Sequence, residues 1–194
     1  AGYFPVEECM TLRKFGSRLQ GHPERERLPG LENTSGPLGS GLSQAAGMAY
    51  GARMDGKKFR TYCFMSDGEQ QAGNIWEGAM FAGDNKLHNL TAIIDRNNIQ
   101  IDGMTENVMP LEPLADKWRA FNWHVIEVDG HNMRAVDDAV NEAKAIFEKP
   151  TLIIAHTIPG KGVKEIEFDY TWHGKPPTKE EETKFLKELR TLGG

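Results

Sequence analysis

"FRTYCFMSDGEQQAGNIWEGAMFAGDNKLHNLTAIIDRNN", Phe59 to Asn98, holds two apolar runs that each close on polar turn residues, with a helical pattern between them. The first run, FRTYCFM, is short and rich in β-formers, and the second, NLTAIID, is nearly continuous in apolar side chains. Ile75, Ala79 and Ala82 recur at helical spacing between about Asn74 and Lys86. Apolar strands alternating with helices predict a parallel sheet. The same alternation continues to the end of the chain. A short helix near Leu114 to Phe121 precedes strand WHVIEV, and helix Met133 to Glu148 carries Val136, Val140, Ala143 and Phe147 on one face. Strand TLIIAHTI follows, then a polar amphipathic helix from Glu180 to Leu192. The fold class is α/β, a doubly wound parallel sheet with helices on both faces.

Upstream, Val6 to Phe15 reads as a short helix, and a loop dense in Gly and Pro fills residues 16–41. A structureless stretch of that length in a compact domain is commonly functional. Ser40 is placed to cap a following helix of small residues, Leu42, Ala45, Ala46 and Ala49. All 194 residues fit one domain, with the C-terminal loop and helix at 159–194.

Composition narrows the function. There are 28 acidic and 23 basic residues, a net charge of −5, and no basic stripe, which argues against nucleic acid as a partner. No apolar run reaches membrane-spanning length. Two cysteines, Cys9 and Cys63, predict free thiols in a reducing, cytoplasmic setting, with Cys63 buried in its strand. The chain opens on Ala1 without a Met, as a trimmed or truncated start would.

In a right-handed strand–helix–strand unit both strands point the same way, so Asp67 and Asn97 project from the carboxyl edge where such sheets bind ligands. A carboxylate and a side-chain amide are hard oxygen donors suited to Mg²⁺ or Ca²⁺, with phosphate completing the shell. Gly68 leaves room for a phosphate, and the helix that follows offers N–H groups and a positive dipole end. Asp-Gly and Asn-Asn are also ordinary turn pairs, so residue type alone leaves both readings open.

The Asp-Gly, the Asn thirty residues later and the "IQIDG" that follows resemble the thiamine diphosphate motif of the transketolase family. GHPE at 21–24, TSGPLGSGLSQAAGMA at 34–49, VDGHN at 128–132, PGKG at 159–162 and WHGKP at 172–176 resemble that family in its own order. The resemblance implies the thiamine diphosphate-binding fold, its diphosphate-binding domain, and the amino-terminal subunit of a split transketolase missing a leading segment. It implies that Asp67, Asn97 and the Ile99 carbonyl hold Mg²⁺ or Ca²⁺, and that Gly68 and His173 contact the diphosphate. Gly36 and Leu38 would line the aminopyrimidine side, with Ile101 in apolar contact, while His22 and His173 face the substrate as catalytic groups. The implied reaction moves a two-carbon ketol unit from a ketose to an aldose, both phosphorylated sugars, as in the pentose phosphate pathway. The implied partner is a separate pyrimidine-binding subunit in a heterotetramer or larger assembly, which supplies the glutamate that activates the cofactor. Two positions depart from the pattern: Ser66 where the family usually has Gly, and Ala72 where it commonly carries Glu; Glu77 keeps the second acidic position. The alternatives are another thiamine enzyme, of 2-oxo acid dehydrogenase or deoxyxylulose phosphate synthase type, or a non-catalytic assembly subunit.

Overall fold

Four parallel strands carry the larger part of the chain. A computed structural model describes residues 1–191, which form two compact units, 1–38 and 39 onward. In the first unit, Val6–Thr11 is a single short 3₁₀ helix, and irregular backbone runs from there to residue 38. Arg18 grips Glu8 with two bonds of 2.7 and 2.8 Å, while Ser35 N–H donates to the Pro23 carbonyl and folds residues 34–36 back against residues 22–25.

The second unit runs α1 (Ser40–Met54), β1 (Thr61–Ser66), α2 (Gly73–Asp84), β2 (Leu90–Arg96), β3 (Ile99–Gln100), β4 (Gly103–Met104), α3 (Thr105–Val108), α4 (Leu114–Ala120), β5 (His124–Asp129), α5 (Met133–Ala145), β6 (Thr151–His156) and α6 (Lys179–Thr191). The sheet order is β1-β2-β6-β5, all parallel, and β3 and β4 form a small separate hairpin. Leu192, expected in the last helix, lies outside the described residues.

One face of the sheet is the main core. Cys63, Met65, Ala92, Ile94, Leu152 and Ile154 pack there against Leu42, Ala45, Ala46 and Ala49 of α1 and Ile75, Ala79 and Ala82 of α2. Trp118 of α4 and Trp123 close it edge to face, with ring centres 4.8 Å apart. The Cys63 thiol is held up to about 12 by burial and by the nearby Glu69 charge. On the other face α5 lies over β5 and β6 with Ala139 and Ala143 buried, and Arg60 ties it down by bonding the Ala143 carbonyl and Thr91 Oγ1.

Several expectations shift. The apolar run of β1 predicts burial on both faces, but β1 is an edge strand, and Tyr62 and Phe64 stand 47% and 73% exposed on the α5 side. Ser40 does not cap α1. Gly39 takes that place at φ 85°, a left-handed conformation that glycine enters without strain. The expected face of α5 narrows to its alanines, with Val136 and Val140 half-buried; Phe147 falls beyond the helix, exposed, with its ring tilted against His88.

Backbone contact seats α2. Its Ala79 carbonyl accepts the Trp123 indole N–H at 2.9 Å, and a Cβ added at Gly83 would lie 1.8 Å from the Phe121 carbonyl oxygen. A Gly83→Ala change should therefore push α2 off the α4–β5 turn and cost about 3 kcal/mol, read as a lower urea midpoint with an unchanged slope.

Candidate functional site

Register decides what meets at the carboxyl edge of the sheet. Ser66 of β1 pairs with Asp95 of β2, so the next residues, Asp67 and Arg96, come side by side. Asp67 has no solvent exposure. Its Oδ1 accepts the Gly68 N–H at 2.7 Å, and its Oδ2 accepts Arg96 Nη1–H at 3.0 Å and the Asn98 N–H at 2.5 Å. Asn98 sits at φ 68°, a left-handed turn that Asn tolerates better than most residues and that aims this N–H inward. Burial pushes the Asp67 carboxyl above the ordinary aspartate range, and the Asn98, Arg96 and Gly68 donors pull against that shift.

Asn97 belongs to the same turn. Its Nδ2–H donates to Asp95 Oδ2 at 3.0 Å and its Oδ1 accepts the Ile99 N–H at 3.0 Å. The chain reverses through the β3–β4 hairpin, and a Cβ at Gly68 would meet Gln100 Cβ at 2.8 Å, so only glycine lets the two turns close together. Asp67 and Gly68 on one turn thus lie against Asn97 and Ile99 on the other. Among the described residues no group of three or more His, Cys, Asp or Glu is arranged for a metal. The set is one carboxylate, one amide and one carbonyl, a hard oxygen set that suits Mg²⁺ or Ca²⁺. The local charge suits a cation as well, because Arg96 meets three carboxylates: Asp67, and Glu106 and Glu112 at 2.9 Å each.

Ile99 also lines a cavity of about 330 Å³ with Pro159, Gly160, Asp169, Trp172 and His173. His173 follows a 3₁₀ turn, Tyr170–Trp172, that Asp169 caps, and Trp172 is anchored edge-on against Phe185 of α6. One cavity therefore brings the loop after β6 against Ile99, two residues beyond Asn97. Ile101, at the hairpin tip, is 72% exposed. In the first unit His22 packs against Gly36, where an added Cβ would come within 2.7 Å of its ring; Leu38 is 65% exposed at that unit's end.

Four residues given no role in the sequence reading belong to the site. Arg96 is buried and bonds Thr105 Oγ1 as well as its three carboxylates. Asp95 holds Asn97. Ser66 and Glu69 form a reciprocal pair: Glu69 N–H donates to Ser66 Oγ at 3.1 Å, and Ser66 N–H donates to Glu69 Oε2 at 3.3 Å. Ser-x-x-Glu is the sequence signature of that capping box. Its place directly after a strand disguised it. Glu69 Oε1 further accepts the Gly39 N–H at 2.6 Å, so this carboxylate ties the start of α1 to the Asp67 turn. The turn it caps is a 3₁₀ helix, Gly68–Gln71, and α2 starts only at Gly73; the N–H groups expected from a helix after Gly68 belong to that turn.

A parallel α/β sheet with an oxygen-donor turn at its carboxyl edge has the ligand-binding edge of open α/β folds. The family model described as transketolase, thiamine diphosphate binding domain, matches residues 1–193. The chain is 44% identical over 192 residues to a 6-deoxy-6-sulfo-D-fructose transketolase subunit from a Clostridium species, covering 99% of this chain and 70% of that protein. It is 45% identical over 188 residues to an apulose-4-phosphate transketolase subunit from Phocaeicola vulgatus, covering 97% of this chain and 66% of that protein. The crystal structure of Campylobacter jejuni transketolase superposes with a TM-score of 0.89 at 32% identity, over 95% of this chain and 30% of that one. The chain belongs to the transketolase family, in its thiamine diphosphate-binding domain.

Arg96→Met should leave Asp67 buried without its cation and cost about 3–5 kcal/mol of metal-free stability, measured by urea unfolding.

Proposed function

We propose that this chain is the diphosphate-binding subunit of a split transketolase. It transfers a two-carbon ketol unit from a ketose to an aldose, both phosphorylated, together with a separate pyrimidine-binding subunit. The observation that carries the reading is the contact of the buried Asp67 carboxylate with the Asn97–Asn98 turn, in a chain the family model matches from end to end. The Clostridium and Phocaeicola relatives are named as transketolase subunits, which supports a partner chain and a ketose donor. We take the two compact units as one binding domain, supported by a family match that runs through both. Two unpaired cysteines support a cytoplasmic setting. Among the described residues no helix is long and apolar enough to cross a membrane.

Asp67, the Asn97 side-chain oxygen and the Ile99 carbonyl would hold Mg²⁺ or Ca²⁺. Asp67 Oδ2 already accepts two N–H bonds, so Oδ1 is the oxygen with a lone pair to spare, and ligation through one oxygen follows. Gly68 N–H, which here donates to Asp67 Oδ1, would turn to the diphosphate, and His173 would bind it too. Gly36, Leu38 and Ile101 would supply apolar and backbone contact to the ring. Bound thiamine diphosphate supplies a nucleophilic carbon and an electron sink for carbon–carbon cleavage. The protein's own part is proton handling and orientation: His22 and His173 donate hydrogen bonds to the sugar hydroxyls and move protons there as bonds break. Ala72 supplies no carboxylate, and Glu77 is exposed on α2.

Two measurements test this. Asp67→Asn keeps size and removes charge, and should weaken Mg²⁺-dependent thiamine diphosphate binding by at least about a hundredfold in calorimetry, beyond the usual loss for an outer-shell partner. Ketol transfer should be absent from the chain alone and appear with its partner. Transfer by the chain alone, or turnover of pyruvate in place of a ketose, would refute the assignment.

A further inference from the structure

Asp95 is held where an amide needs a guide. It lies one residue before the end of β2, between β1 and β6 in the sheet, and its two carboxylate oxygens do different jobs. Oδ2 accepts the Asn97 Nδ2–H at 3.0 Å. Oδ1 accepts the Thr157 hydroxyl, from the turn just after β6. That turn is itself fastened to β2, because Thr157 N–H donates to the Arg96 carbonyl at 3.1 Å. Successive residues of a strand point to opposite faces, so Asp95 reaches Thr157 and Asn97 while Arg96 reaches Asp67.

An Asn side chain carries an acceptor oxygen and a donor nitrogen of nearly equal size, and only its neighbours decide which end points where. Here Asp95 fixes the nitrogen and the Ile99 N–H fixes the oxygen. Turning the amide over would set oxygen against carboxylate and N–H against N–H, two repulsive contacts in place of two bonds. With Asp95 gone, only the Ile99 N–H would oppose the turn, and an amide nitrogen cannot ligate a cation.

We propose that Asp95 is a positioning residue for the metal site, holding the Asn97 amide so that its oxygen faces the ion. This rests on the reading of Asn97 as a metal ligand. Asp95 acts through Asn97 and does not touch the cation. Thr157 anchors the far side of the carboxylate and so couples the loop after β6, which leads into the cavity beside Ile99, to the ligand turn.

The test is a Mn²⁺ titration, followed by electron paramagnetic resonance of the free ion, on the complex of this chain with its partner in the presence of thiamine diphosphate. Asp95→Ala should weaken Mn²⁺ binding about 10–100-fold, the loss typical of an outer-shell partner. Asp95→Asn removes the charge but keeps an oxygen to accept the Asn97 N–H and an amide to donate to Thr157, and should stay within about threefold of wild type. The double change Asp95→Ala with Asn97→Asp replaces the ligand amide by a carboxylate with two equivalent oxygens, which need no guide, and should recover most of the lost affinity. Recovery of this kind also identifies a folded site, which a collapse of the β2 end would not yield. Wild-type affinity in Asp95→Ala would overturn the proposal. So would equal losses in Asp95→Asn and Asp95→Ala, which would make charge the cause. Failure of the wild-type complex to bind Mn²⁺ would instead sink the metal assignment itself, and this inference with it.

Discussion

A carboxylate withdrawn completely from water must be met by donors, and at Asp67 that requirement organises the carboxyl edge of the sheet. Three elements answer it: the residue that follows Asp67, the left-handed turn at Asn98, and a guanidinium rooted at the end of β2. The last two are possible only if β1 and β2 run parallel and in the observed register. The neighbouring strand end, the hairpin that Gly68 allows to approach, and the α3 segment through Thr105 and Glu106 are all drawn to the same point.

Arg96 balances this cluster only in part. It faces three carboxylates, and Asp67, which it clamps, is the candidate ligand with one lone pair to spare on Oδ1. A local excess of negative charge beside a carbonyl and an amide oxygen is the electrostatic setting in which a divalent cation binds with anionic phosphate completing its shell. The fold also brings Ile99 and His173 to the same cavity, although most of the chain beyond β2 lies between them in sequence.

Much of this was legible before folding. Asp67 and Asn97 each follow an apolar run, and the rule that parallel strands end on one edge put them together. The core face of α2 was readable from Ile75, Ala79 and Ala82, because helical spacing survives in the sequence as a pattern. Arg96 was harder to see. A charged residue at the end of an apolar strand reads as the start of a turn, and nothing in its neighbours announces three carboxylates arriving from residues 67, 106 and 112. The two-residue strands β3 and β4 are too short to show any period, and the exposed side of β1 depends on which strand the sheet leaves at its edge.

By itself the sequence determined the alternation of strands and helices, the glycines at the turns, the choice of oxygen donors, and the ordered motifs of a transketolase-type cofactor domain. Those are local properties, set by side-chain period, turn chemistry and residue type. Tertiary structure alone decided that Asp67 is dry, that Arg96 clamps it, that Asp95 and Thr157 steer the Asn97 amide, and that Glu69 links the turn to Gly39. Such contacts depend on strand register and on which face each side chain leaves, and they join residues too far apart in the chain for any local pattern to record.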